Sequence, residues 1–305
     1  MIQRKSENWF RMLFIWNGSV LPQLLPRLLL LLVLSIGIVY VKGSFMSFKI
    51  QLNPAPFTLF GVALALFLGF RNNASYDRFW EARKIWGALL NDTRSLARQA
   101  LTISGYKAHS AQVDEFIHYL TAFVYALKHQ LRHTDPGPDL QKRLDNPLVE
   151  KLAQTRFKPV ILIREMGHWV QRAKEEGKMD SIAQSNFETN LNKLSDIVGG
   201  CERIASTPIP YTYRVLLHRT VYIYCFLLPF GFVDSLGWMT PLIVIFIAYT
   251  FVALEAIADE IEEPFGTEPN DLALNTMSRM IEATLLEMAD QPVPEQEHSE
   301  TMILD

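Results

Sequence analysis

The residues "FGVALALFLGFRNNASYDRFWEARKIWG", Phe60 to Gly87, carry no turn signal. The first half has the hydropathy of a bilayer span. The second half is charged and aromatic, with the composition of a helix in water. Such a stretch requires one helix to leave an apolar medium and continue into an aqueous one. That demand confines the chain to membrane folds with a helical domain at the bilayer face. The composition agrees: 49% of the 305 residues are hydrophobic and 20% are charged, with a mean hydropathy of +0.10. Only a division into apolar and polar blocks reconciles these figures. The net charge of −3 argues against nucleic acid as a partner. Cys201 and Cys225 lie in contrasting surroundings, so a disulfide is not expected and a reducing compartment fits. No cleavable signal peptide is read, because the first apolar run starts late and no A-x-A-like site follows it.

Four apolar runs stand out: Leu28 to Val41, Ile50 to Phe70, Thr220 to Val233 and Ser235 to Leu254. A helical span needs roughly 20 apolar residues. The second and fourth runs suffice alone. The first does so if Leu21 to Leu25 joins it and Arg27 extends its head to the interface. The third is short, and reads either as a buried helix of a soluble core or as one arm of a membrane hairpin turned at Gly237-Trp238. Basic residues orient the runs. Arg4, Lys5, Arg11 and Arg27 precede the first, Arg71, Arg78, Arg83 and Lys84 follow the second, and Arg203, Arg214 and Arg219 precede the third. The links between paired runs hold only Lys42 and Lys49. The positive-inside rule then places both termini and the long middle in the cytoplasm. Trp16, Tyr40 and Trp238 fall where an aromatic belt is expected.

The middle reads as helices without strands. Phe79, Ala82, Trp86, Leu89, Leu96 and Ala100 repeat at three and four residues, with Thr93 as one polar interruption. Further helices are expected at Val113–Leu131, Lys158–Lys174 and Met179–Ala205, the last stopped by Pro208 and Pro210. "RHTDPGPDLQ" reads as a loop, and the tail as disordered. The organisation expected is therefore an N-terminal segment with membrane helices 1 and 2 (1–70), a cytosolic helical domain (71–218), membrane helices 3 and 4 (219–258), a cytosolic helical segment (259–290) and a tail (291–305).

Several constellations invite chemistry. His129 and His133 are spaced to ligate a metal from one helix face; the plainer reading is two surface histidines. Glu255, Asp259, Glu262 and Glu263 share or border one face, read as a solvated acidic helix end. No nucleophile-elbow, Walker or Rossmann pattern occurs, so neither an enzyme nor a bound cofactor is expected. Along the apolar half of the opening stretch, Gly61, Ala65 and Gly69 form a stripe of small residues that lets helices approach closely. Val62, Leu66 and Phe70 form the adjacent bulky stripe. It faces lipid or a neighbouring helix, or else several copies surround an axis and form apolar rings that gate by dewetting.

"FRNNASYDRFWEARKIWG", "TPIPYTYRVLLHRT" and "EEPFGTEPNDLALN" resemble, in order, three characteristic segments of the bestrophin family, and the likeness covers about residues 5 to 285. The wording of the motifs resembles the bacterial branch. The resemblance implies an all-α homopentameric ion channel in the bacterial inner membrane. Each subunit would carry four membrane helices and a helical cytosolic domain. The family's apolar neck maps onto Val62, Leu66 and Phe70, and its cytosolic aperture onto Ile182. Animal members follow "PFG" with a dense acidic run that binds calcium. Here only Glu268 and Asp271 remain, a candidate weak cation site interrupted by Pro269, so calcium activation is not expected. Permeant ions implied are monovalent. Animal relatives conduct chloride, while the acidic excess of this chain and the habit of bacterial relatives favour Na+ and K+. A membrane sensor or scaffold without a pore is the alternative of another class.

Overall fold

The computed structural model describes residues 9–12, 14–16, 18–45, 48–49 and 52–294. The chain runs through α1 (Trp9–Met12), α2 (Leu21–Tyr40), β1 (Ser44–Phe45), β2 (Phe48–Lys49) and α3 (Pro54–Thr102). It continues through α4 (Ala111–Arg132), α5 (Gly137–Gln141), α6 (Asn146–Ala153), α7 (Lys158–Glu175) and α8 (Ser181–Ser206). It ends with α9 (Tyr211–Leu236), a 3-10 turn (Gly237–Met239), α10 (Thr240–Glu262) and α11 (Leu274–Met288). Two compact units result. One comprises the described residues up to Phe79 together with Pro208–Glu263; the other comprises Trp80–Thr207 and the residues from Pro264 onward. The divisions expected at residues 70, 218 and 258 fall inside α3, α9 and α10. Most of the expected tail lies outside the described residues.

The first unit is apolar inside and out. Among the described residues, three stretches are long and apolar enough to cross a membrane: Leu21–Tyr40, Pro54–Thr102 and Tyr211–Glu262. The last is two helices, α9 and α10, joined at Gly237, which takes a φ of +52°. The hairpin reading of the third run is the one the fold adopts. Leu24, Leu28 and Leu31 of α2 share a core with Leu64, Leu68, Val221, Leu228, Val244 and Val252. The opposite faces leave Leu30, Val33, Leu242 and Phe246 largely exposed. Apolar surface on this scale is unfavourable in water and natural in lipid. Arg27 reaches across to donate to Tyr222 Oη at 2.7 Å. Trp16, Tyr40 and Trp238 are exposed.

Four short elements differ from the sequence reading, here and in the middle. No strand was expected, yet Ser44 pairs with Lys49 and Phe45 with Phe48 in the link between α2 and α3. A two-residue ladder is too short to show period-2 alternation. The expected loop after α4 contains α5, and α6 follows it. Both carry a proline in the first turn, where its missing N–H costs nothing. A reading that counts prolines as breakers misses such starts.

The second unit is a packed helical domain. The stripe read along α3 is its buried face: Ala82, Trp86, Leu89, Thr93, Leu96 and Ala100 are all fully buried. Thr93 satisfies its hydroxyl by donating to Leu89 O at 2.8 Å. Helix α4 is buried continuously from Leu120 to Lys128, with α7, α8 and α11 packed around it. Trp169 of α7 stacks near Phe116 and Phe187 and donates to Gln112 O at 2.7 Å. Asp180 caps α8 by accepting from Ala183 N at 2.7 Å, and Pro208 and Pro210 follow its end, as expected. Gly105, at φ +78°, lies so close to the Lys178 carbonyl that a Cβ would sit 2.1 Å from its oxygen. Cys201 and Cys225 are free and buried.

The histidine pair does not form a metal face. His133 leaves α4 in the left-handed conformation as its C-cap. His129 is committed through Nε2 to Asp139 at 2.9 Å and through Nδ1 to Thr134 at 2.6 Å. Lys128 Nζ also reaches Asp139, at 3.1 Å. Burial would raise the Asp139 pKa, but hydrogen bonds from His129 and Lys128 and the charges of Lys128 and Arg143 outweigh it and hold it below the ordinary value. Burial lowers His129, partly offset by its bond to Asp139. Both shifts act in one direction. The His129 contribution is complete above roughly pH 6.5 and declines below it; the Asp139 contribution is complete above roughly pH 3.9 and declines as pH falls through its lowered value. Asp139→Asn should therefore cost about 1–3 kcal/mol at neutral pH, flatten the acid limb below about pH 4 that Asp139 carries, and steepen the limb below about pH 6.5 as His129 loses its acceptor. Thermal melting in detergent between pH 8 and pH 3 checks this, and an unchanged acid limb would contradict it.

A candidate pore-lining stripe and its charged anchor

Along the apolar half of α3, one row of residues is buried and another is bare. Leu64, Leu68, Arg71 and Ser75 are buried at helical spacing, against 58%, 58% and 63% exposure for Val62, Leu66 and Phe70. The bulky stripe is thus open within a single chain. The small-residue stripe divides. Gly61 is buried, and a Cβ there would come within 2.6 Å of Tyr224 Oη, so it serves packing against α9 inside the chain. Ala65 and Gly69 are exposed, and a Cβ on Gly69 meets nothing within 4 Å. Ile182, the second residue of α8, is 74% exposed.

Glu268 and Asp271 occupy the turn between α10 and α11. Asp271 is buried, accepts from Glu268 N at 2.8 Å and donates its own N–H to Glu268 O at 3.0 Å. Its carboxylate staples the turn, while Glu268 is exposed. Among the described residues no group of three or more His, Cys, Asp or Glu side chains converges to hold a metal. Hard cations want about six oxygens, and within this turn the acidic side chains are Glu268 and Asp271.

The acidic face of α10 is the main departure from the sequence reading. It is not solvated. Glu255 and Glu262 are buried, and only Glu263 stands in the open. The reason lies in partners distant in sequence. Arg71, with its side chain fully buried, donates through Nη2 to Asp259 and to Glu262, the latter at 3.3 Å. Arg214 of α9 also pairs with Asp259, at 3.2 Å. Glu262 accepts from Ile209 N at 3.2 Å, and its own carbonyl accepts from Arg78 Nε at 3.2 Å. Two turns back, Glu255 pairs with His218 Nδ1 at 2.7 Å. Arg214, His218 and Tyr222 repeat every fourth residue along α9, and their partners are Asp259, Glu255 and Arg27. A charge withdrawn from water survives only when paired and hydrogen-bonded, and here Asp259 and Glu262 have arginines at hand while Glu255 has a hydrogen bond with His218. Arg71 was read for topology alone. The signal available was its position at the end of an apolar run, in a chain whose acids at 255, 259 and 262 share a face.

Arg71, Ile209 and Glu262 belong to the three segments that carry the family likeness. That these meet at one carboxylate agrees with the comparisons. The model for the family described as Bacterial/Fungal Bestrophin protein matches residues 1–287. A protein of Ralstonia nicotianae named voltage-dependent anion channel-forming protein RSc3414 is 53% identical, over 96% of this chain and 95% of that one. The voltage-dependent anion channel-forming protein YneE of Escherichia coli K12 is 40% identical, over 95% of each. Among solved structures, a point mutant of a bacterial bestrophin homologue from Klebsiella pneumoniae superposes with a TM-score of 0.84 at 41% identity, covering 88% of this chain and 100% of that one. The chain belongs to the bacterial and fungal bestrophins, a family of membrane ion channels.

Proposed function

We propose that five copies of this chain surround one central path for small monovalent ions. In this reading Val62, Leu66 and Phe70 form its apolar neck and Ile182 its cytosolic aperture. The observation that carries the reading is the bare bulky stripe on α3, next to a buried face that includes an arginine. A stripe of this kind in lipid needs no charged anchor; one that lines a water path must be held in a fixed direction. Apolar rings gate by excluding water from a narrow passage. The protein would sit in a bacterial plasma membrane with both termini in the cytoplasm, as the basic residues flanking the apolar runs favour.

For the sign of the permeant ion, the names of the curated relatives support anions, and family membership favours conduction over the scaffold reading. A specific observation favours cations: the net charge of −3 per chain, fivefold in a pentamer, raises cation concentration in an aqueous vestibule. Phe70 alone among the neck residues offers a positive ring edge to an anion. Opening would not need calcium, since Asp271 is committed to its turn.

Four outcomes are expected. Native mass spectrometry should show a pentamer. Gly69→Leu should weaken it without disturbing the chain's own packing, because only a neighbouring copy can meet that side chain. A stable wild-type monomer or dimer would end the pentameric reading. Leu66→Ala should raise single-channel conductance, since a wider ring wets more readily; an unchanged current would return the stripe to lipid. Reversal potentials in asymmetric KCl then separate the two signs of selectivity, and a cytosolic chelator should leave open probability unchanged. A protein that assembles and passes no ion would restore the scaffold reading.

A further inference from the structure

We propose that Arg71 is a positioning residue of the neck: anchored to Asp259 and Glu262 of α10, its guanidinium sets which row of α3 faces the ion path. This rests on the reading of Val62, Leu66 and Phe70 as the neck. Successive residues of an α-helix point about 100° apart. The row beside the bulky stripe is Gly61, Ala65 and Gly69. A turn of one residue step would therefore replace three bulky rings with an almost bare helix surface. The azimuth of α3 decides whether a constriction exists at all.

Apolar packing does not fix that azimuth sharply. Leu64 and Leu68 are fully buried against α2, α9 and α10, but such contacts are non-directional. The apolar half of α3 receives two neutral bonds from α9, Tyr224 Oη to Phe57 O at 3.2 Å and Tyr213 Oη to Phe67 O at 3.3 Å; the stronger, charge-assisted restraint begins at the residue immediately after Phe70. Arg71 is bound to two carboxylates on one face of α10, and both are held elsewhere as well. Asp259 is shared with Arg214, and Glu262 with Ile209 N and, through its carbonyl, with Arg78. One residue on, Asn72 donates through Nδ2 to Leu254 O at 3.1 Å. Adjacent residues of α3, pointing about 100° apart, thus grip two sites on α10. Two such restraints oppose rotation in both senses. Arg71, Arg214, Asp259 and Glu262 also balance in charge, so the anchor stays in place without a counter-ion from solvent.

Buried ion pairs contribute little net stability compared with apolar substitutes of similar volume, whereas removing one partner leaves a costly orphan charge. The test therefore removes both. Arg71→Met with Glu262→Gln leaves no unpaired charge, because Asp259 retains Arg214 and the glutamine can still accept from Ile209 N. Single cysteines are placed at position 66 or 65, and the native thiols, both buried, supply little background. Modification by a charged, water-soluble thiol reagent is followed in the assembled protein in liposomes. With Arg71 in place, Leu66→Cys should react about tenfold faster than Ala65→Cys, because a thiol outside the water path stays protonated and unreactive. In the Met/Gln background that ratio should fall at least about threefold while the melting temperature changes little. Arg71→Lys, which keeps the charge and loses the fork, should give an intermediate ratio.

A lowered melting temperature with an unchanged ratio would overturn the proposal and leave a merely structural arginine. A ratio near one with Arg71 in place would instead overturn the neck reading itself. Should the Met/Gln form fail to assemble, Glu262→Gln alone decides by the same ratio.

Discussion

A guanidinium withdrawn entirely from water is the constraint around which the apolar unit is arranged. Arg71 cannot be stable there without acids, and buried Glu262 has Arg71 as its charged partner. Each group that meets this need brings its own segment along: Asp259 brings Arg214 of α9, and Glu262 brings the backbone ahead of α9 and a later turn of α3. The leucines of α2, α3, α9 and α10 supply the bulk of the burial. They do so without specifying a single arrangement, since lipid tails are as apolar as they are. Directional bonds at the end of the apolar stretch supply what the leucines cannot. Nε and Nη1 of Arg71 are buried with no partner among the described residues, so the cluster is restrained without being saturated.

Much of this was legible in the sequence where the signal is local. The alternation of apolar and polar blocks gives the four apolar helices. The spacing of Ala82, Trp86, Leu89 and Leu96 gives the buried face of α3. Lys158–Lys174 against the observed Lys158–Glu175 shows how closely a clear period marks a helix. The failures are of two physical kinds. Short elements such as β1, β2, α5 and α6 are decided by tertiary contacts rather than by a pattern of their own. The acidic face of α10 fails for another reason. Whether a carboxylate is solvated or buried depends on a cation nearby in space, and for Asp259 that cation lies 188 residues away in sequence. The histidine pair shows the same limit, since spacing alone says nothing of Asp139.

Two sources of support bear on the permeant ion and they pull apart. Whole-chain charge is a long-range influence on local ion concentration, screened within about 10 Å at ordinary salt. The proposed neck would be a short-range filter of nearly neutral side chains. Selectivity in such a path is decided by whichever acts closer to the barrier. A single phenylalanine ring per subunit is a modest bias against a net negative protein, and the two can balance differently at different ionic strengths.

Helix α3 runs without interruption from Pro54 to Thr102, 49 residues. An insertion or deletion of one residue in an unbroken helix turns everything beyond it by about 100°. Between Phe70, on the bare stripe, and Arg78, bonded to the Glu262 carbonyl within the same unit, such a change would part the stripe from its anchors. Arg71 and Asn72 fall within the same interval. This stretch can therefore exchange residues over evolutionary time far more readily than it can change in length. Among relatives, length changes are expected to collect in turns such as those around α5 and α6, and substitutions alone in the eight positions from Arg71 to Arg78.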